Sequence, residues 1–252
     1  MNKRILIAAG ALAACMNLWA QAPESAAPAA PAAEGEPAKK TGPRSPKSLR
    51  LPPLRPVQIP EPVSVTLSNG MRVFLLENHE LPMVSGRVLV RTGNLFDPND
   101  KRGLADLTGQ VMRSGGSKSK TGDELDEALE NIAASVESSI GETSGSVSFS
   151  CLKENTDTVL GIFKDVLTSP EFRQEKLDLA KTQARSGISR RNDDAGSVAE
   201  REFLNTIYGR QSPYGWMIEY EHVDRIQRAD LVAFYQRYFF PKNMILSVYG
   251  DF

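Results

Sequence analysis

The chain has 252 residues, with 30 Lys and Arg against 31 Asp and Glu and a formal net charge of -1. This balance excludes the strongly basic surface that a nucleic-acid partner requires. Of the two cysteines, Cys15 lies in the N-terminal leader, so Cys151 has no internal disulfide partner and is expected to be a small buried apolar residue.

The first 20 residues have the pattern of a signal peptide. Lys3 and Arg4 precede an apolar run, residues 5–15, which is too short to span a bilayer, and Ala20 suits a signal-peptidase site. The pattern predicts a periplasmic or secreted protein. An alternative is open at Cys15, because residues 12–15 resemble a bacterial lipobox that would leave a lipid-anchored chain, and only then is a membrane a partner.

Residues 21–62 form an Ala- and Pro-rich segment, as in Pro28-Ala29-Ala30-Pro31. Few large apolar side chains occur there, so burial could not offset the entropy lost on ordering the segment. The composition predicts a disordered linker between residues 1–20 and a folded domain over residues 63–252.

The folded domain is predicted to combine short strands with amphipathic helices. A hairpin at Asn69-Gly70 joins the first two strands, and Thr121 with Glu124 forms a capping box at the start of a helix. The pattern predicts an α+β fold: a mixed, mainly antiparallel sheet with helices packed on one face. The predicted strands are residues 63–67, 72–77, 84–91, 134–140, 145–152 and 244–249, and the predicted helices follow Gly103, Thr121 and Asn155 or cover residues 175–191, 197–208 and 229–239.

Several short motifs in this order resemble the N-terminal domain of the insulinase-like zinc peptidases, the pitrilysin family. The resemblance covers about three-quarters of the chain and implies the same α+β fold. The matching motifs are Leu67-Ser68-Asn69-Gly70-Met71-Arg72-Val73, Arg91-Thr92-Gly93-Asn94-Leu95-Phe96-Asp97-Pro98, Gly103-Leu104-Ala105, Ser212-Pro213-Tyr214-Gly215, Asp230-Leu231-Val232-Ala233-Phe234-Tyr235 and Leu246-Ser247-Val248-Tyr249-Gly250-Asp251.

In active members, Gly-Leu-Ala precedes the zinc motif His-x-x-Glu-His, whose histidines bind zinc and whose glutamate activates water. On this sequence the motif falls on Asp106, Gly109 and Gln110, and the third ligand, a glutamate, falls near Gly187. These positions offer one carboxylate, whereas catalytic zinc needs three ligands. The resemblance therefore implies a non-catalytic member with no metal, no cofactor and no catalytic residue.

The only histidines, His79 and His222, lie outside the motif and are both expected to be exposed. Active members bind unfolded peptide as an added strand at a sheet edge. The corresponding residues here are Val136, Ser138 and Ile140, although an ordinary sheet strand is the alternative interpretation.

Family members continue into a second domain of similar fold, whereas this sequence ends at Phe252. We therefore expect a partner, either a second subunit of this type or a missing C-terminal half. The resulting hypothesis is an exported non-catalytic homologue that binds such a partner or unfolded peptide. Two alternatives are an active zinc metalloendopeptidase with unrecognised ligands and a truncated non-functional fragment.

Overall fold

The computed structural model describes Pro56 and residues 59–252. The predicted signal peptide, residues 1–20 with Cys15, lies outside the described residues. Most of the predicted linker, residues 21–62, also lies outside them. Residues 59–62 are exposed and belong to no helix or strand.

The described residues contain one six-stranded sheet with the strand order β1-β2-β6-β3-β5-β4. Four of its neighbouring pairs are antiparallel, and β2 with β6 is the one parallel pair. The predicted mixed, mainly antiparallel sheet is confirmed. The strands are β1 (Val63–Thr66), β2 (Arg72–Glu77), β3 (Met83–Val90), β4 (Ser135–Ile140), β5 (Gly145–Leu152) and β6 (Met244–Gly250).

The hairpin that opens the domain follows from its turn residues. Gly70 adopts a left-handed φ of 86°, which glycine tolerates because it has no Cβ. The Asn69 side-chain oxygen accepts the Met71 N–H at 3.0 Å. This turn sets the antiparallel register of β1 and β2, which ends at Thr66 opposite Arg72.

The α-helices within the described residues number seven, and local signals fix several of their ends. Thr121 accepts the Glu124 N–H at 3.2 Å, while the Glu124 carboxylate accepts the Thr121 N–H at 2.7 Å, so the predicted capping box is present. The helices are α1 (Leu104–Ser114), α2 (Gly122–Glu130), α3 (Thr156–Thr168), α4 (Gln174–Arg190), α5 (Ala195–Tyr208), α6 (Tyr220–Arg225) and α7 (Arg228–Tyr238).

The hydrophobic core lies between one face of the sheet and the helices. In β3 the buried side chains alternate with more exposed ones, as the period of two in a strand requires. Cys151 is a buried member of this core, as expected. No described helix is both long and apolar enough to span a membrane.

The sequence prediction missed one element, the six-residue α6. A helix of this length is too short for its helical period to be recognised.

Candidate functional site

The helix at the centre of the resemblance, α1, begins at an unusual cap. The buried Asp97 carboxylate accepts the Gly103 N–H at 2.7 Å and the Ala105 N–H at 2.9 Å. Burial withdraws this carboxyl from water and raises its pKa to about 6, outweighing the two hydrogen bonds, and the nearby charge of Asp106 acts in the same direction. Asp97 thus fixes the start of α1 at an electrostatic cost.

Two of the positions that align with the zinc motif face outward from α1. Asp106 is exposed, although neighbouring protein atoms remove part of the water around its carboxyl and raise its pKa. Gln110 is also exposed, and its Nε2 donates to Gln183 Oε1 of α4 at 2.5 Å. Gly187 lies one helical turn after Gln183 and is exposed as well. An amide–amide bond therefore joins α1 to α4.

The third position, Gly109, faces the sheet and allows a close approach of α1 to β4. A Cβ at Gly109 would lie 2.4 Å from the Ile140 nitrogen and 2.9 Å from the Ser139 carbonyl carbon. The Ser138 hydroxyl donates to the Gly109 carbonyl at 2.6 Å. Any larger residue at 109 must push helix and strand apart, so the strand backbone occupies the space that a glutamate side chain would need.

The residues at these four positions do not fit zinc. Asp106 offers one carboxylate, Gln110 offers an amide that is already hydrogen-bonded, and the two glycines offer no ligand atom. Within the part of the chain that the structure describes, no three His, Cys, Asp or Glu side chains are grouped so that they could hold a metal ion. The four positions therefore lack the three ligands that a catalytic zinc ion needs.

The two histidines differ in their surroundings. His79 is exposed, as expected, and its Nδ1 lies 2.5 Å from Asp251 Oδ1. The expectation was wrong for His222, which is buried because its Nδ1 accepts the Glu219 N–H at 2.9 Å and closes the first turn of α6. Both side chains are engaged in structural contacts.

The strand β4 lies at the edge of the sheet. Along it, the backbone N–H and C=O groups of successive residues point alternately towards β5 and away from it. The Gly141 N–H bonds to the Ser144 carbonyl, so the N–H and C=O groups of Val136, Ser138 and Ile140 point away from β5, towards the outer edge. These are the residues assigned by the resemblance to peptide binding. Their backbone N–H and C=O groups therefore point in the direction from which an added strand would pair.

Part of that edge is occupied by a buried arginine. Arg113 Nε donates to the Val136 carbonyl at 2.7 Å, and its Nη2 lies 2.6 Å from Asp126 Oδ1 of α2. No pattern in the sequence indicates this contact, because a single arginine late in a helix is normally exposed. Gln183 and the capping role of Asp97 were missed for a similar reason, since both depend on contacts beyond their own local segment.

Comparison with known proteins finds both a matching family and individual relatives. A model of the family described as Insulinase (Peptidase family M16) matches residues 72–217, which is more than half of the chain. Among curated relatives, the non-peptidase homolog YmxG of Helicobacter pylori is 24% identical over 180 residues, which are 71% of this chain and 41% of YmxG. The probable zinc protease PqqL of Escherichia coli is 28% identical over 198 residues, 73% of this chain and 21% of PqqL.

Solved structures show the same fold. The peptidase M16 inactive domain from Pseudomonas fluorescens superposes with a TM-score of 0.71 at 23% identity, covering 76% of this chain and 47% of that one. The first half of the periplasmic protease PqqL from Escherichia coli gives a TM-score of 0.64 at 23% identity, covering 76% of this chain and 43% of that one. The chain therefore spans less than half the length of these relatives.

Proposed function

The chain belongs to the insulinase family, peptidase family M16, and we propose that it is an exported, non-catalytic member that binds a partner of the same family. The observation that carries the proposal is the contact of Gly109 with β4. There the helix that holds zinc in active members is packed against the Ile140 backbone at a position where they carry the catalytic glutamate. The other motif positions supply a single carboxylate, Asp106.

Metal analysis of the purified chain tests the non-catalytic part. We expect less than about a tenth of an equivalent of zinc, because catalytic sites bind the metal stoichiometrically through three protein ligands. Zinc at one equivalent together with hydrolysis of unfolded peptides would establish the alternative, an active metalloendopeptidase with other ligands.

Helix α5 supports the partner-binding part of the proposal. None of its side chains is buried, and its main contact is with the turn Pro213–Gly215. Phe203 and Ile207, one helical turn apart, are 62% and 56% exposed. Apolar side chains grouped in this way mark interaction surfaces more often than isolated ones do.

The partner we propose is a second M16-type subunit or a second half of similar fold. This agrees with the lengths of the relatives, since PqqL has been solved as a first half and as a longer chain. Chemical crosslinking in the native cell, followed by identification of the linked peptides, tests it. We expect links from the α5 region to a chain with an intact His-x-x-Glu-His motif or to a similar domain.

Variants of α5 make that experiment specific. Phe203→Asp with Ile207→Asp should abolish the crosslinks, because both charges would be buried without a counter-charge. Leu179→Asp on α4 is the control, since Leu179 is also exposed, at 52%, but lies outside the α5 surface. Equal loss in both variants, or crosslinks that persist in the α5 variant, would remove α5 as the interface.

Unfolded peptide at the β4 edge is a second candidate, favoured by the outward backbone of Val136, Ser138 and Ile140. The Arg113 side chain already occupies the Val136 carbonyl, and Gly109 of α1 packs against the Ile140 nitrogen, so an added strand would have Ser138 as its main partner. A peptide that binds there should protect the Ser138 amide from hydrogen exchange. Unchanged exchange at saturating peptide would exclude this edge.

Export is the remaining part of the proposal. It rests on the pattern of residues 1–20 and agrees with the description of PqqL as periplasmic. Cell fractionation with N-terminal sequencing tests it. A mature chain starting at Gln21 supports secretion, a lipidated Cys15 supports a membrane anchor, and an uncleaved cytoplasmic chain contradicts both.

A further inference from the structure

The sheet face opposite the helices is rich in serine around one arginine. Arg87 in β3 lies between Ser148 of β5 and Ser247 of β6 in the strand register. The next position along this face of β3, Ser85, lies between Ser150 and Tyr249. These side chains point away from the core, because strand residues alternate between the two faces.

The serines form a shallow depression around the guanidinium. Its volume is about 350 Å³. The side chains on the neighbouring strands are small, so the Arg87 guanidinium stays exposed to solvent. The polar lining comprises Arg87, Ser85, Ser135, Ser148, Ser150 and Ser247, with Tyr249 at one side.

The hydrogen-bonding capacity of this depression is incompletely used. Among the described residues, the Arg87 guanidinium forms no hydrogen bond or ion pair, and the Ser135 and Ser148 hydroxyls have no protein partner. Ser85 donates to Ser150 at 3.2 Å, which leaves the Ser150 O–H free to rotate towards a ligand. The depression thus offers donors on three adjacent strands.

We propose that Arg87 and the surrounding serine hydroxyls form a binding site for a phosphate group. A guanidinium presents two parallel N–H donors that match two oxygens of an oxyanion. A carboxylate has only those two oxygens, whereas a phosphate has a third that can accept from the Ser148 hydroxyl. The Ser247 hydroxyl already donates to the Arg87 carbonyl at 3.3 Å, so its one hydrogen is in use. Strands are about 4.8 Å apart, so Ser148, on the strand next to Arg87, is within reach of an anion bound to the guanidinium.

One acidic residue opposes this site and sets its expected strength. Glu137 in β4 lies opposite Ser148 in the register, two strands from Arg87, which is roughly 10 Å. Its charge weakens anion binding without filling the depression. We therefore expect weak binding that improves about twofold in Glu137→Gln, which is the effect of removing a like charge at this distance in water.

A phosphate titration of the full chain tests the site. It is monitored by NMR, with chloride added to keep the ionic strength constant. We expect saturable shifts of the Arg87 side-chain N–H and of the Ser148 and Ser247 amides. Arg87→Gln should weaken binding about tenfold or more, since it removes both charge-assisted donors. O-phosphoserine is the second probe: binding equal to that of free phosphate supports recognition of a phosphorylated group, and binding of inorganic phosphate alone limits the site to the free anion.

The matched control is Arg72→Gln. Arg72 lies on the same sheet face but between Thr66 and Ile245, without serine neighbours. Arg72→Gln should leave the affinity for phosphate unchanged. The proposal is overturned if shifts do not saturate, if the Arg72 and Arg87 variants lose binding equally, or if acetate binds as well as phosphate.

Discussion

Helices α1 and α5 have similar lengths but opposite relations to the rest of the domain. Most residues of α1 are buried, including Thr108, Gly109 and Arg113. No residue of α5 is buried. The helix that aligns with the zinc motif is therefore the one that holds the fold together, and the helix with exposed apolar side chains contributes little to the core.

The difference shows that α1 has a structural role that does not depend on a metal. Helix α1 contacts β4, α4 and α7, so its packing would be selected even without a metal. At Gly109 that packing excludes any side chain. At the position that aligns with the catalytic glutamate, α1 contacts the strand backbone directly, so this helix is part of the packing of the domain.

Restoring the glutamate should have the largest effect on stability. We expect Gly109→Glu to lower the free energy of unfolding by more than about 3 kcal/mol, and Gly109→Ala by about 1–3 kcal/mol, because the new Cβ meets the Ile140 backbone. Urea denaturation measures both. Adding Asp106→His, Gln110→His and Gly187→Glu to Gly109→Glu should raise the affinity for zinc, because these changes supply three ligands.

The matched control is Gly187, the glycine near the aligned position of the third zinc ligand. Gly187 lies in α4, and a methyl group added there would have no neighbouring atom within 4 Å, so Gly187→Ala adds only helix propensity. We expect it to stabilise the chain by about 0.5–1 kcal/mol. Equal effects of alanine at positions 109 and 187 would show that α1 can move away from β4 freely.

The Asp97 cap should make the stability of α1 depend on pH. The pKa of Asp97 in the folded chain, about 6, exceeds its ordinary value of 3.8, so the folded state holds this proton more tightly than the unfolded state. Its stabilising contribution is complete below pH 3.8 and is lost as the pH rises through about 6. The loss should reach on the order of 3 kcal/mol.

The variant Asp97→Asn isolates this contribution from those of other carboxylates. The asparagine does not titrate, so the wild type should lose stability relative to the variant between about pH 4 and pH 7. Denaturant midpoints at each pH give the difference. A difference that stays constant over this range would mean that Asp97 titrates normally.

Local signals predicted most of the elements. The Asn69-Gly70 hairpin and the Thr121–Glu124 capping box depend on residues within a few positions of one another, and both are present. The missed α6 has only six residues, too few for a helical period to be recognised. Its buried His222 was interpreted as exposed because the Glu219 N–H contact is made only in the folded turn.

The sequence predicted which residues belong to the candidate site but not how they contact the rest of the domain. The resemblance identified Asp106, Gly109 and Gln110, yet the reason for a glycine at 109 is a strand about thirty residues later in the chain. The Gln110–Gln183 bond likewise joins α1 to a distant helix. Contacts of this kind depend on how the elements pack, and no local pattern in a single sequence encodes them.

Substitution of Arg113 should lower the stability less than Gly109→Glu does. It also tests whether the hydrogen bond of Arg113 to the edge strand stabilises the domain. Arg113→Met keeps the apolar stem but leaves the Val136 carbonyl without its donor, which should cost about 1–3 kcal/mol. Asp126→Asn should cost less than about 1 kcal/mol, because Asp126 is 57% exposed. If Asp126→Asn costs as much as Arg113→Met, the stabilisation comes from the ion pair with Asp126 and not from the hydrogen bond to the Val136 carbonyl.

Polar substitutions on α5 should have the smallest effect on stability. Phe203→Ser with Ile207→Ser removes two large side chains that are more than half exposed, so we expect a change of no more than about 0.5 kcal/mol for each in the isolated chain. Thermal unfolding measures this, with Leu107→Ala in the buried face of α1 as the contrast, at about 2–5 kcal/mol. If the α5 variant keeps its stability in the isolated chain but loses the crosslinks to the partner, then α5 serves association and α1 serves the fold. A large effect in the isolated chain would instead make α5 part of the domain's own core, and the contrast between the two helices would disappear.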